Sequence, residues 1–136
     1  MENKLKHLEM LQNVISRMAG NSFLLKGWSV VMVSALFALA ASNPKIHFVY
    51  LAYFQSIVFW ILDGYFLWQE RLFRKLYDKV RIASDTDIDF SMNTSSVTNE
   101  VSSWIGTMFS KTLLIFHGAI IATIIIVTAM TLVIKP

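Results

Sequence analysis

The chain contains no cysteine. That absence removes a disulfide framework, a thiol nucleophile and a thiolate metal site at once. Charge is also scarce: charged residues make up 15% of the chain and hydrophobic ones 55%, far from an average soluble domain. The scarcity is uneven. Residues 27–44 carry no charge, residues 46–68 carry only Asp63, and residues 112–134 carry none. No proline kinks the last of these runs, and Gly118 is its only glycine. There is no internal repeat. A Walker loop, a Ser-His-Asp set, an HExxH motif and a dinucleotide fingerprint are all missing. No enzyme activity, cofactor or metal is therefore expected. Asp85, Asp87 and Asp89 imitate the start of a calcium loop, but the match fails. Phe90 stands where the loop needs glycine, and Ser96 where it needs a bidentate glutamate.

What the chain does have is three runs of spanning length. A bilayer's hydrocarbon layer is ~30 Å thick and takes ~20 helical residues to cross. Backbone groups inside lipid must be satisfied within each segment, so the spans must be helices. The expected fold is all-α: one integral membrane domain with transmembrane helices over about 23–42, 46–68 and 112–134. The first 22 residues include Lys4, Lys6, His7, Glu9 and Arg17 and hold no apolar core ahead of a small-residue cleavage site. They do not read as a cleavable signal peptide.

Orientation follows from the basic residues. Lys4, Lys6, Arg17, Lys26, Arg71, Arg74, Lys75, Lys79, Arg81 and Lys111 fall on one side, and only Lys45 and Lys135 on the other. The positive-inside bias places the N-terminus and residues 69–111 in the cytoplasm and the C-terminus outside.

Residues 3–22 are amphipathic. Leu8, Leu11, Ile15 and Met18 repeat at three and four, and Ser22, Leu25, Ser29 and Met32 continue the stripe into the first span. Such a stripe predicts one long helix with a packing seam, directed either at the chain's own second helix or at another copy. Ser42-Asn43-Pro44-Lys45 reads as a tight connection between antiparallel neighbours. The second helix continues past Trp68 as an extension over 69–81, with Leu72, Phe73, Leu76, Tyr77 and Val80 on its apolar face. Residues 82–99 are polar and read as a cytoplasmic loop. Residues 100–110 read as a short interfacial helix, with Trp104 and Phe109 suited to the headgroup region.

Lys26, Asp63 and His117 are the interior ionisable residues of the expected spans. Asn43 back to Lys26 is 17 residues, Lys45 to Asp63 is 18, and Ile134 back to His117 is 17. At 1.5 Å per residue, all three fall ~26 Å from the outer boundary, just inside the cytoplasmic edge. Intramembrane ionisable residues are functional candidates, usually paired and facing protein or water. The structural alternative is that Lys26 snorkels and Asp63 neutralises it. On the third run, His117, Thr128 and Thr131 form a possible pore stripe. Ile115, Ala119, Ala122, Ile126 and Ala129 form a smooth one, and Gly118 with Ala122 gives a spacing that permits close helix approach. Below the bilayer, Arg71, Arg74, Lys75 and Lys79 share helical spacing and, with Arg17, make a basic patch for lipid headgroups or another anionic ligand.

Several stretches together resemble a family of small bacterial three-span membrane proteins. They are Arg17-Met-Ala-Gly-Asn21-Ser22-Phe-Leu-Leu-Lys26-Gly-Trp28, Phe59-Trp60-Ile-Leu-Asp63-Gly-Tyr65, Glu70-Arg71-Leu-Phe-Arg74-Lys-Leu-Tyr77 and Asp89-Phe90-Ser-Met92. The chain is also similar to membrane effectors of bacterial anti-phage systems such as Hailong. This resemblance implies the bacterial inner membrane and an oligomeric channel or membrane-disrupting effector. Such a protein is gated from the cytoplasm by a nucleic-acid or nucleotide signal. The alternative expectation is a non-channel anchor that recruits a soluble partner protein through residues 69–111.

Overall fold

The computed structural model describes residues 1–42 and 46–134. Over them the chain is all-helical, with α1 over Glu2–Ser42, α2 over Ile46–Ile82, α3 over Trp104–Met108 and α4 over Lys111–Ile134. Three of these, α1, α2 and α4, are long and apolar enough to cross a membrane. At 1.5 Å per residue α1 and α2 reach roughly 60 Å and 55 Å, well beyond a hydrocarbon layer, whereas α4 reaches ~36 Å and little more than spans it. The connection expected over Asn43–Lys45 lies outside the described residues, as does Lys135.

α1 and α2 pair in opposite sequence order. Leu11 meets Leu72 and Leu76, Ser22 meets Asp63, Ser29 meets Gln55, and Val33 sits with Val49 and Ala52. The seam on α1 therefore packs against the chain's own second helix. It follows the expected stripe through Leu11, Ile15, Ser22 and Ser29. It then passes to Val33, while Met32 is exposed. A straight helix drifts ~20° per heptad against a 3.5-residue repeat, so a stripe that long slips to the next residue. α4 lies antiparallel to α2, with His117 beside Asp63 and Thr128 beside Tyr53.

Two cores result. The apical one holds Val33, Val49, Ala52 and Ile124, backed by Leu36, Phe37 and Ile120. It lies between the three long helices. Most large apolar side chains on their outer faces are exposed, among them Phe23, Trp28, Phe54, Ile115 and Leu132. That pattern suits hydrocarbon as the surrounding solvent. The basal core holds Leu11, Leu72, Leu76, Val80 and Val97.

Residues 82–99, read as a cytoplasmic loop, pack on the basal core. Val97 is fully buried, and Ile88, Met92 and Val101 pack on the same cluster. The segment is a strap across α1 and α2, with two short 3-10 turns at Asp85–Asp87 and Ser95–Glu100. His7 on α1 is buried, and its Nε2 donates to the Ser91 carbonyl at 2.9 Å. The His7 ring also packs on Phe90, which is left-handed at φ 55°. The Met1 amino group pairs with Asp85 and holds its carboxyl below the ordinary range.

The helix expected over 100–110 is shorter. Ser103 caps it by accepting from the Gly106 amide, so it begins at Trp104. Val101 is extended and faces the basal core instead.

Candidate functional site

Asp63 is fully buried among α1, α2 and α4. Lys26 Nζ and His117 Nε2 both reach Asp63 Oδ2 at 2.7 Å, one from each side. Ser22 Oγ donates to Asp63 Oδ1, and Lys26 Nζ also donates to Ser22 Oγ at 2.9 Å. Ser22 and Lys26 stand one turn apart on α1, which points both at the same carboxylate. Four side chains from three helices thus satisfy one another where water is scarce. A buried carboxylate requires such partners, because an unpaired charge there is very expensive.

Aromatic rings close the cluster. Trp60 stacks on His117 at 5.7 Å and 8° between planes, and Phe116 meets the same ring edge-on. Lys26 Nζ lies 5.9 Å from the Phe116 ring centre. Lys26 keeps 20% of its side chain exposed, so its amine touches both the cluster and the outside. The cluster also reaches α3. Trp60 Nε1 donates to the Met108 carbonyl at 2.7 Å, and Trp104 Nε1 to the Ile61 carbonyl at 3.1 Å. Gly64 lets α3 approach this closely, since a Cβ there would fall on the Met108 side chain.

Above the cluster, polar side chains continue between the helices. Gln55 Nε2 donates to Ser29 Oγ at 3.3 Å, and Tyr53 and Thr128 share a hydroxyl bond of 3.2 Å. His117 Nδ1, Ser56 Oγ and Gln55 Oε1 are buried without partners. The seam then ends against Val33, Val49, Ala52 and Ile124.

Lys26, Asp63 and His117, the three interior ionisable residues of the sequence, are brought together. Ser22 is a member that sequence reasoning took only as a seam residue. Its signal is the i, i+4 spacing to Lys26 on an otherwise apolar face. The stripe of His117, Thr128 and Thr131 does not line one open surface. His117 and Thr128 face α2, while Thr131 is exposed. Thr128 and Thr131 each donate to the backbone carbonyl four residues back. The smooth stripe lies outward instead: Ile115, Ala119, Ala122, Ile126 and Ala129 are all exposed.

The basic patch divides. Arg71, Arg74 and Lys75 line one hollow on α2, and Lys75 and Lys79 line an adjoining one. Asp78 and Glu100 line both, so the patch is not purely basic. Arg74 bonds Glu70 at 3.3 Å. Arg17 is exposed two residues beyond buried Ile15, hence ~200° around α1 from the seam and away from α2. Among the described residues no three His, Asp or Glu side chains are placed to hold a metal.

No protein-family model, no characterised protein and no solved structure matches the chain.

Proposed function

We propose that this chain is the membrane subunit of a homo-oligomeric channel or membrane-disrupting effector in the bacterial inner membrane. In this reading the N-terminus and residues 69–111 are cytoplasmic, the C-terminus is outside, and the gate is worked from the cytoplasm. The observation that carries it is the Asp63 cluster. Four polar side chains from α1, α2 and α4 meet inside the apolar part of the bundle, where ionisable groups are seldom kept without a use.

The three long helices of one copy pack on each other around Val33, Val49, Ala52 and Ile124, and three such spans are too few to enclose a pore. Conduction therefore requires several copies around an axis. The exposed stripe from Ile115 to Ala129 on α4 supports such an assembly, because small residues let helices approach closely in lipid. The shared basal core supports gating from that end, since α1 and α2 carry its movements straight into the spans. Repeated around an axis, the exposed cations Lys6, Arg17, Lys79 and Arg81 would focus potential for an anionic input such as a nucleic acid or nucleotide.

The test pairs mass photometry of the purified protein with membrane potential after induced expression. An oligomer that depolarises cells under some inducing condition is the expected result. A monodisperse monomer ends the channel reading. An oligomer that never depolarises leaves the anchor for a soluble partner, which the charged hollows on residues 71–102 would serve.

A further inference from the structure

We propose that the hollow between the lower part of α2 and residues 100–102 binds the headgroup of a zwitterionic phospholipid, one with a phosphodiester and a primary ammonium. Six polar residues line it: Arg71, Arg74, Lys75, Asp78, Glu100 and Ser102. Both signs of charge are present, yet they do not pair with each other. Among the described residues the ion pairs are Met1–Asp85, Lys26–Asp63 and Arg74–Glu70, and His117 also bonds Asp63. Arg71, Lys75, Asp78 and Glu100 enter none. Opposite charges that line one hollow without neutralising each other suit a ligand that carries both.

The order of groups along α2 matches the order along such a lipid. Trp68 and Trp104 stack at 6.3 Å just above the hollow, the usual place of indoles at a membrane boundary. Arg71 follows Trp68 by about 4.5 Å of helix rise, and Asp78 follows Arg71 by about 10.5 Å. Moving away from the apolar spans, the hollow presents cations first and carboxylates second. A headgroup presents its phosphate first and its ammonium beyond it. Arg71 and Lys75 would hold the phosphate, with the Ser102 hydroxyl as a further donor. Asp78 and Glu100 would hold the ammonium. The acyl chains have a surface to follow, because Ile105 on α3 and Phe109 just after it are exposed.

Asp78 and Glu100 also decide against other phosphates. Both carboxylates would repel a nucleic acid or an anionic lipid, and neither would find a partner in it. A choline headgroup has charge but no N–H to donate. The proposal is independent of conduction: it needs only that the spans lie in a bilayer.

The full chain is purified in detergent and offered equal amounts of phosphatidylethanolamine, phosphatidylcholine and phosphatidylglycerol with identical acyl chains. Bound lipid is counted by native mass spectrometry. Phosphatidylethanolamine should be retained about tenfold over the other two, the ratio expected for one charge-assisted contact. Asp78→Asn with Glu100→Gln should abolish that preference while phosphatidylglycerol binds as well or better. Arg71→Gln with Arg74→Gln should weaken all three, with helical circular dichroism unchanged. Equal retention of the ethanolamine and choline lipids overturns the proposal, as does a preference that survives the Asp78 and Glu100 changes. Displacement of bound lipid by an equimolar amount of soluble glycerophosphoethanolamine would assign the hollow to a soluble ester and overturn it too.

Discussion

At the residue scale, Asp63 governs the molecule. It is fully buried and takes Lys26 and His117 on a single oxygen. Removing one member of a buried pair leaves the other charge uncompensated, at a penalty of about 3–5 kcal/mol. Lys26→Met and Asp63→Asn should each lower stability in detergent by that order. The double change should recover part of the loss, because no lone charge remains. Simple addition of the two losses would show that the residues act independently and that Lys26 only snorkels. A second prediction concerns Gly64. A Cβ there collides with the Met108 side chain, so Gly64→Ala should undock α3 and weaken packing by about 1–3 kcal/mol. Tryptophan emission reports it, since the indoles of Trp60 and Trp104 each bond across the contact between α2 and α3. Adding Met108→Ala should restore the emission. An unchanged spectrum in Gly64→Ala would mean that the side chain gives way freely.

At the element scale, the strap from Ile82 to Ser103 determines how the ends of α1 and α2 are held. It has little regular structure of its own and depends on Val97 in the basal core and on the His7 bond to Ser91. Segments with few buried contacts open at low free energy. His7→Ala should therefore speed hydrogen exchange over residues 84–96 while α4 keeps its protection. Equal exchange in the variant and the parent would place the anchor elsewhere. Helix lengths belong to this scale as well. α1 and α2 exceed the hydrocarbon layer, and the excess of each is apolar on one face. That excess builds the basal core.

At the scale of the whole molecule, the distribution of lysine and arginine argues for one orientation. A periplasmic reporter fused after Pro136 should be active and a cytoplasmic one silent. The reverse pattern would invert every assignment of inside and outside. The outward face of α4 makes a related demand. Replacing Ala122 with Leu thickens the exposed stripe without touching the apical core. It should shift mass photometry toward smaller species, by a factor of ten or so in dissociation constant if two copies each lose close contact. An unchanged mass distribution would show that α4 faces lipid.

Helix type and the number of helices long and apolar enough to span were legible because they depend on local quantities. Runs of spanning length with at most one charge permit one backbone solution in lipid, and the count of residues from each run's outer end places Lys26, Asp63 and His117 at one level. What counting could not supply is rotation about each helix axis. A level says nothing of direction, so the meeting of three side chains on one carboxylate is a property of packing alone. The same limit hid the role of Ser22 and the turn of Thr128 toward Tyr53. The strap was the hardest to foresee. Its composition is polar, and although Ile88, Phe90 and Met92 alternate, the alternation lasts only five residues and Val97 does not continue it. Only the long-range contact with Leu11, Leu72 and Leu76 draws Ile88, Met92 and Val97 into the core. The chain by itself determined how many helices are long and apolar enough to span, because transfer into lipid depends on composition over ~20 residues. The tertiary structure decided which faces meet, where Asp63 finds its partners and which charges are left over. Those outcomes depend on atoms far apart in sequence and within a few ångströms in space.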